Sequence, residues 1–233
     1  VLPVSRRQTL AALGTGAAGI AIASPGSALQ AAPKTGAQML LDSVADNLIA
    51  LSPEGATALG IDTGARAAER GKLGDRSAAG QKAVAETLKA DLARIRAFKT
   101  DGLDHATRTS LAVVDSAYSV AIDGFAQPYG DVAVGGWRNT PYVVIQNVGA
   151  YLDVPKFLDS DHPVKTSADA EAYLARLAAY PAALDGETER LKAAAARGLI
   201  APAFPIDKAG KQLEVSLADA REGGGRVESL ASA

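Results

Sequence analysis

AAGQKAVAETLKADLARIRAFKTDGLDHATRTSLAVVDSAYSVAIDGF, residues 78–125, carries two apolar stripes of helical period. Val84, Leu88, Leu92, Ile95 and Phe98 recur at steps of three and four, as do Leu111, Val114, Tyr118, Ile122 and Phe125. That spacing puts each set on one face of an α-helix, because 3.6 residues complete a turn. Thr100-Asp101-Gly102 ends the first helix and Asp104 caps the second. Two long helices joined by so short a loop form an antiparallel hairpin.

The same period extends outward from the hairpin. Leu40, Leu41, Val44, Leu48 and Leu51 predict a helix over 37–51. Ser52, Pro53 and Glu54 then supply a cap, a first-turn proline and an acid for a further short helix. Residues 62–77 are charged and punctuated by glycine, as in a surface connection. Thr166-x-x-Asp169 reads as a capping box. The helix it opens shows Tyr173, Leu174, Leu177 and Tyr180 on one face. Pro181 is read as the start of the next helix, with Leu184, Thr188 and Leu191 inward, and Gly198 sits where a C′ glycine belongs. Residues 199–208, LIAPAFPIDK, read as a proline-broken connection before a last helix.

Residues 126–164 lack a clear period and hold four prolines, the single tryptophan and several glycines. PYVVIQNVGAYL, 141–152, fits a strand or a buried helix equally. Trp137, Arg138, Tyr142 and Tyr151 could line a cleft, or could anchor the segment to the core. The expected fold is mainly α: an antiparallel helical bundle with one long irregular segment at about 126–164.

Composition narrows the chemistry. The 233 residues are 48% hydrophobic and 21% charged with a formal net charge of -2, values ordinary for a water-soluble globular protein. Such a balance gives no reason to expect nucleic acid or an anionic membrane as partner. There is no cysteine, which removes disulfides, thiolate ligands and thiol nucleophiles. With His105 and His162 alone, a three-histidine zinc site is excluded, and no H-E-x-x-H occurs.

The first residues read as an address. Ser5, Arg6, Arg7 and Leu10 resemble a twin-arginine export signal, followed by an uncharged apolar stretch and the break Ser24-Pro25-Gly26. Small residues place cleavage after Ala28, leaving no membrane anchor. The 24 Lys and Arg less the two in this leader leave 22 against 26 acidic groups, a mildly acidic mature chain. The expectation is export by the twin-arginine translocase to the periplasm or beyond.

Asp159, Asp161 and His162 lie within four positions and invite a metal reading. Asp-x-Asp-His followed by proline is not a spacing that fixes one ion, and a capping or structural role is expected. His105, beside the cap Asp104, reads as a surface residue. GGGRVES, 223–229, lacks the Lys-Ser/Thr pair of a phosphate loop, and no G-x-S-x-G supports Ser52, Ser110, Ser116 or Ser119 as a nucleophile.

NVGAYLDVPKFLDSDHPVKTSADAEAYLARLAAYPAALDGETERLKAAAARGLIAP, 147–202, is similar to the N-terminal part of the bacterial family called domain of unknown function 885 (DUF885), and LSPEGATALGIDTGAR, 51–66, agrees with it. The resemblance spans roughly residues 35–222. It implies a helical, zinc-dependent peptidase-like protein whose longer members carry a His-Glu-x-x-x-Gly-His segment later in the chain. This sequence has no His-Glu pair, so no catalytic residue and no metal ligand is assigned here, and zinc and a peptide substrate are implied for full-length relatives only. The expected organisation is a twin-arginine signal peptide over 1–28, a helical N-terminal domain over 29–222, and a flexible end over 223–233 before a catalytic half. The chain then contributes to a substrate cleft without hydrolysing peptides itself. The alternative is a complete exported helical binding module for a small molecule or partner protein.

Overall fold

The computed structural model describes residues 34–134 and 140–222. They form seven α-helices: α1 Gly36–Ala50, α2 Pro53–Ala58, α3 Ala78–Ala97, α4 His105–Phe125, α5 Ala150–Ser160, α6 Ser167–Ala196 and α7 Ala203–Arg221, with one 3-10 helix, Gly64–Glu69, before α3. No sheet is present among the described residues, which hold only two isolated bridges, Asp131 with Thr140 and Ile145 with Val148. The fold is an antiparallel helical bundle. No helix among the described residues is long and apolar enough to cross a membrane.

Helix starts follow local chemistry. Thr35 accepts the Gln38 N–H while the Gln38 side chain accepts the Thr35 N–H, closing a capping box on α1. Ser77 caps α3 and Asp104 caps α4 through the Gly80 and Thr107 amides. Thr166 and Asp169 form the second capping box, on α6. Each cap satisfies amides that the first turn leaves without partners.

The core has two parts. Val44 of α1, Leu88, Leu92 and Ile95 of α3, and Leu111, Tyr118 and Ala121 of α4 make the first. Ala150, Val154, Phe157 and Leu158 of α5 pack with Tyr173 and Ala183 of α6 in the second. Full burial of a Leu or Ile side chain stabilises by about 1.5–3 kcal/mol, so both clusters hold their helices together mainly by apolar burial.

Four sequence expectations change. The irregular segment is shorter than 126–164, because α5 occupies 150–160 with Pro155 inside it. Its apolar positions Val154, Phe157 and Leu158 bury against α6, and that packing outweighs the missing proline amide. Pro181 does not begin a new helix; α6 runs through it for 30 residues. Pro181 is exposed, while buried residues before it (Tyr173, Arg176) and after it (Ala183, Glu187) hold the two halves in one register. Residues 199–208 are mostly helix, since Pro205 falls in the first turn of α7, where no amide partner is needed. Lastly, 62–77 is not only a surface connection: it contains the 3-10 helix and the buried Asp62.

Candidate functional site

Helix α6 meets the rest of the bundle with a face that mixes apolar and charged side chains. Asp169, Tyr173, Arg176, Tyr180, Ala183, Glu187, Arg190 and Ala194 recur at alternating steps of four and three, which keeps them on one side. Arg176 is fully buried, and Glu187 and Asp169 are nearly so. Leu174, Leu177 and Leu191, expected inward, are exposed, and Thr188 turns its hydroxyl back to the Leu184 carbonyl. The inward stripe was present in the sequence as a polar period, hidden because the apolar residues lie beside it.

Around Arg176 the bonds reach five groups. Nε donates to the Lys72 carbonyl at 2.8 Å and Nη1 to His162 Nδ1 at 2.8 Å. Nη2 donates to the Pro53 carbonyl at 3.3 Å, Thr57 Oγ1 at 2.8 Å and the Glu69 carbonyl at 3.1 Å. The guanidinium also lies 4.7 Å from the centre of the Phe157 ring. The Thr57 hydroxyl donates a hydrogen bond to Asp62, and Arg70 bridges Asp62 to Asp169, with Nη1 2.6 Å from Asp169 Oδ1. The hydrogen bond from Arg70 holds the Asp62 carboxyl below the usual range, against the opposing effect of burial. One fork-shaped cation thereby ties α2, the 3-10 helix and the end of α5 to α6.

Three turns further along α6, Glu187 makes the second polar node. Its Oε2 accepts the Ala150 N–H at 2.7 Å, and its Oε1 accepts from Arg76 Nη1 at 3.1 Å. Arg76 also reaches Asp153 at 3.3 Å. Burial pushes the Glu187 carboxyl up, with the Ala150 amide and the Arg76 charge opposing. Gly186 makes this approach feasible: a Cβ there would lie 2.8 Å from the Ser77 nitrogen and 3.0 Å from Ser77 Cα. Arg190, one turn on, donates to the Gly130 carbonyl at 2.8 Å and to Asp131 at 2.6 Å, and Arg197 bonds the Pro128 carbonyl. The irregular segment is therefore strapped to α6 by arginines.

Two adjoining hollows open beside this node. The smaller, about 390 Å³, is lined by Glu54, Gly74, Arg76, Asp131, Asp153 and Phe157 among others. The larger, about 510 Å³, lies between α3 and α6, with Ala85, Phe125, Val143 and Ala194 in its lining and Lys89 and Arg197 among its charged groups. Gln81 and Val132 line both, so the hollows form one groove along the strapped segment. Its lining mixes paired charges, such as Arg76 with Asp153 and Arg190 with Asp131, with the side-chain amides of Gln81 and Gln127 and apolar groups such as Phe125, Val143 and Phe157. Ser110 and Ser119 bond the carbonyls of Ala106 and Asp115 instead of a base. Among the described residues no group of three or more His, Asp or Glu could hold a metal ion.

The residues singled out from sequence are dispersed. Tyr151 is buried; its hydroxyl donates to the Ile145 carbonyl at 3.0 Å and lies 2.7 Å from Gln212 Oε1, linking α5 to α7. Tyr142 is half-buried beside the bridge at Thr140. Asp159 and Asp161 are exposed, whereas His162 is buried against Arg176, so the three do not converge. His105 is exposed in the first turn of α4. Ser5, Arg6, Arg7, Leu10, Ala28, Trp137 and Arg138 lie outside the described residues. Sequence reading missed Arg176, Glu187, Arg76 and Asp62, whose partners lie up to 123 positions away.

Comparison with known proteins gives one family. The family described as bacterial protein of unknown function (DUF885) matches residues 53–233, most of the chain. No curated protein matches it.

Proposed function

The chain belongs to the DUF885 family, and on that premise we propose that it forms the N-terminal, non-catalytic helical part of an exported zinc-peptidase-like protein. Its groove serves as one wall of a peptide-substrate cleft. The observation that carries this reading is the groove itself, two hollows sharing Gln81 and Val132 along a segment fixed by Arg190 and Arg197. An apolar floor with amide groups and fixed charges suits an extended peptide, which offers both side chains and backbone polar groups. Zinc and the groups that activate water come, on this reading, from sequence other than the residues described. Apolar side chains on α7, Phe204, Val215 and Leu217, stand open. They favour a part that meets further protein over a self-contained binding module for a small molecule or partner protein.

The test has two arms. The purified chain with added zinc should leave a peptide mixture intact. Unlabelled peptides should shift the amide signals of Gln81, Val132, Val143 and Arg190. Chelator-sensitive cleavage by the chain alone, or peptide-induced shifts confined to other residues, refutes the proposal.

A further inference from the structure

His162 is buried and both of its ring nitrogens are engaged. Nδ1 lies 2.8 Å from Arg176 Nη1, and Nε2 lies 3.0 Å from the carbonyl oxygen of Asp169. A guanidinium has donors only, so Nδ1 must be bare and accepting. Nε2 must then carry the proton and donate to the carbonyl. One neutral tautomer satisfies both contacts. A second proton can enter only at Nδ1, where it would face an Arg176 N–H. That removes the hydrogen bond and places two cations in contact inside the fold, and arginine cannot relieve it by losing its own proton.

The other charged groups around this corner do not offset the new charge at contact distance. From α2 and the loop after it come Glu54 and Asp62, from the 3-10 helix Glu69 and the adjoining Arg70, and from α6 Asp169. The Asp62 and Asp169 carboxylates are taken up by Arg70. From α5, Phe157 presents its ring at 6.2 Å, and Tyr173 of α6 does so at 5.5 Å; Asp161 is exposed.

We infer that His162 is an acid-released catch: proton uptake by its ring breaks the Arg176 contact and loosens residues 53–73 from α6. The tie runs through Arg176, which otherwise holds Pro53, Thr57, Glu69 and Lys72. Burial, opposed by the Asp169 carbonyl and aided by the Arg176 charge, lowers the proton affinity of the ring from the ordinary 6.5. A histidine so depressed contributes stability that is complete above its unfolded value and is lost as pH falls below it. Ser52, Glu54 and Gly74 flank or begin the loosened segment and line the smaller hollow. Where that hollow serves as proposed above, the catch is its regulator; the catch itself does not depend on that role.

The full chain with labelled histidines tests this by NMR, His105→Gln supplying the assignment. At about pH 7.5 the His162 ring should be neutral with its proton on Nε2. Between about pH 7.5 and pH 5, amide exchange over 53–73, corrected for intrinsic rates, should rise by up to about tenfold per pH unit, while the α3–α4 hairpin keeps its protection. His162→Asn, whose Oδ1 can still accept near the Nδ1 position but cannot be protonated, should abolish the rise. A cationic ring in the folded chain at pH 7.5 overturns the inference. So does flat exchange over 53–73, or the same acid response in His162→Asn. Should that variant not fold, the ring state and exchange of the unaltered chain decide. Neither reading involves peptide, so failure here is distinct from failure of the groove.

Discussion

Replacing Arg176 by leucine removes one side chain and strands five acceptors: the carbonyls of Pro53, Glu69 and Lys72, Thr57 Oγ1 and His162 Nδ1. A buried acceptor without a partner costs about 1–3 kcal/mol. Lys72 and Glu69 lie nearer the surface, where water can take over, so the low end applies on average. Five groups at about 1 kcal/mol each give a loss of about 5 kcal/mol. Leucine recovers apolar contact with Phe157, but that gain does not replace directional bonds to three separate stretches of chain. Since a domain has only about 5–15 kcal/mol in total, Arg176→Leu should sit at the edge of folding. Urea unfolding of the full chain, followed by circular dichroism, reads the difference directly. Arg176→Lys keeps the charge but offers three donors from a single point, and should lose about half as much. A loss below about 1 kcal/mol for Arg176→Leu would show that these acceptors are satisfied otherwise, and the reasoning would fail.

Three further outcomes follow from the same geometry. Gly186→Ala should lower stability by about 1–3 kcal/mol although alanine is the better helix former, because its Cβ meets Ser77 backbone; an unchanged melting temperature would contradict this. Asp62 is held below its ordinary value of 3.8, so its contribution is complete above that value and is lost as pH falls below it and through the lowered folded-state value. Asp62→Asn should thus be less stable at neutral pH and lose less on acidification, measured by thermal melts across pH. Thr166→Ala opens the capping box of α6 and should cost about 1 kcal/mol, a drop of about 2–4 °C in the melt.

What was legible in the sequence depended on whether the cause was local. The hairpin of α3 and α4 could be read because its buried positions are apolar and spaced three or four apart. The capping boxes at Thr35 and Thr166 involve residues three positions apart; the second could be recognised directly. The inner face of α6 was read only in part: Tyr173, Tyr180 and Leu184 pack inward as expected, but Leu174, Leu177 and Leu191 are exposed, and Arg176 and Glu187 are buried in their stead. His162 looked like one of a trio with Asp159 and Asp161, yet its partner is Arg176, fourteen positions later and one helix away. No local pattern announces that Thr57 and Arg70 meet α6, since those contacts cross about a hundred residues.

That long reach sets an order of events in time. The α3–α4 hairpin closes through neighbours in sequence, whereas the Arg176 and Glu187 nodes, the Arg176–His162 contact apart, need segments separated by 37 to 123 positions. Closing such loops costs chain entropy before any bond rewards it, so the hairpin should assemble first and the polar nodes lock last. Bonds made after the rate-limiting barrier do not speed its crossing; they slow the return. Helix α6 should therefore act less as a nucleus than as a bolt: substitutions on its polar face are expected to speed unfolding and leave the folding rate nearly unchanged.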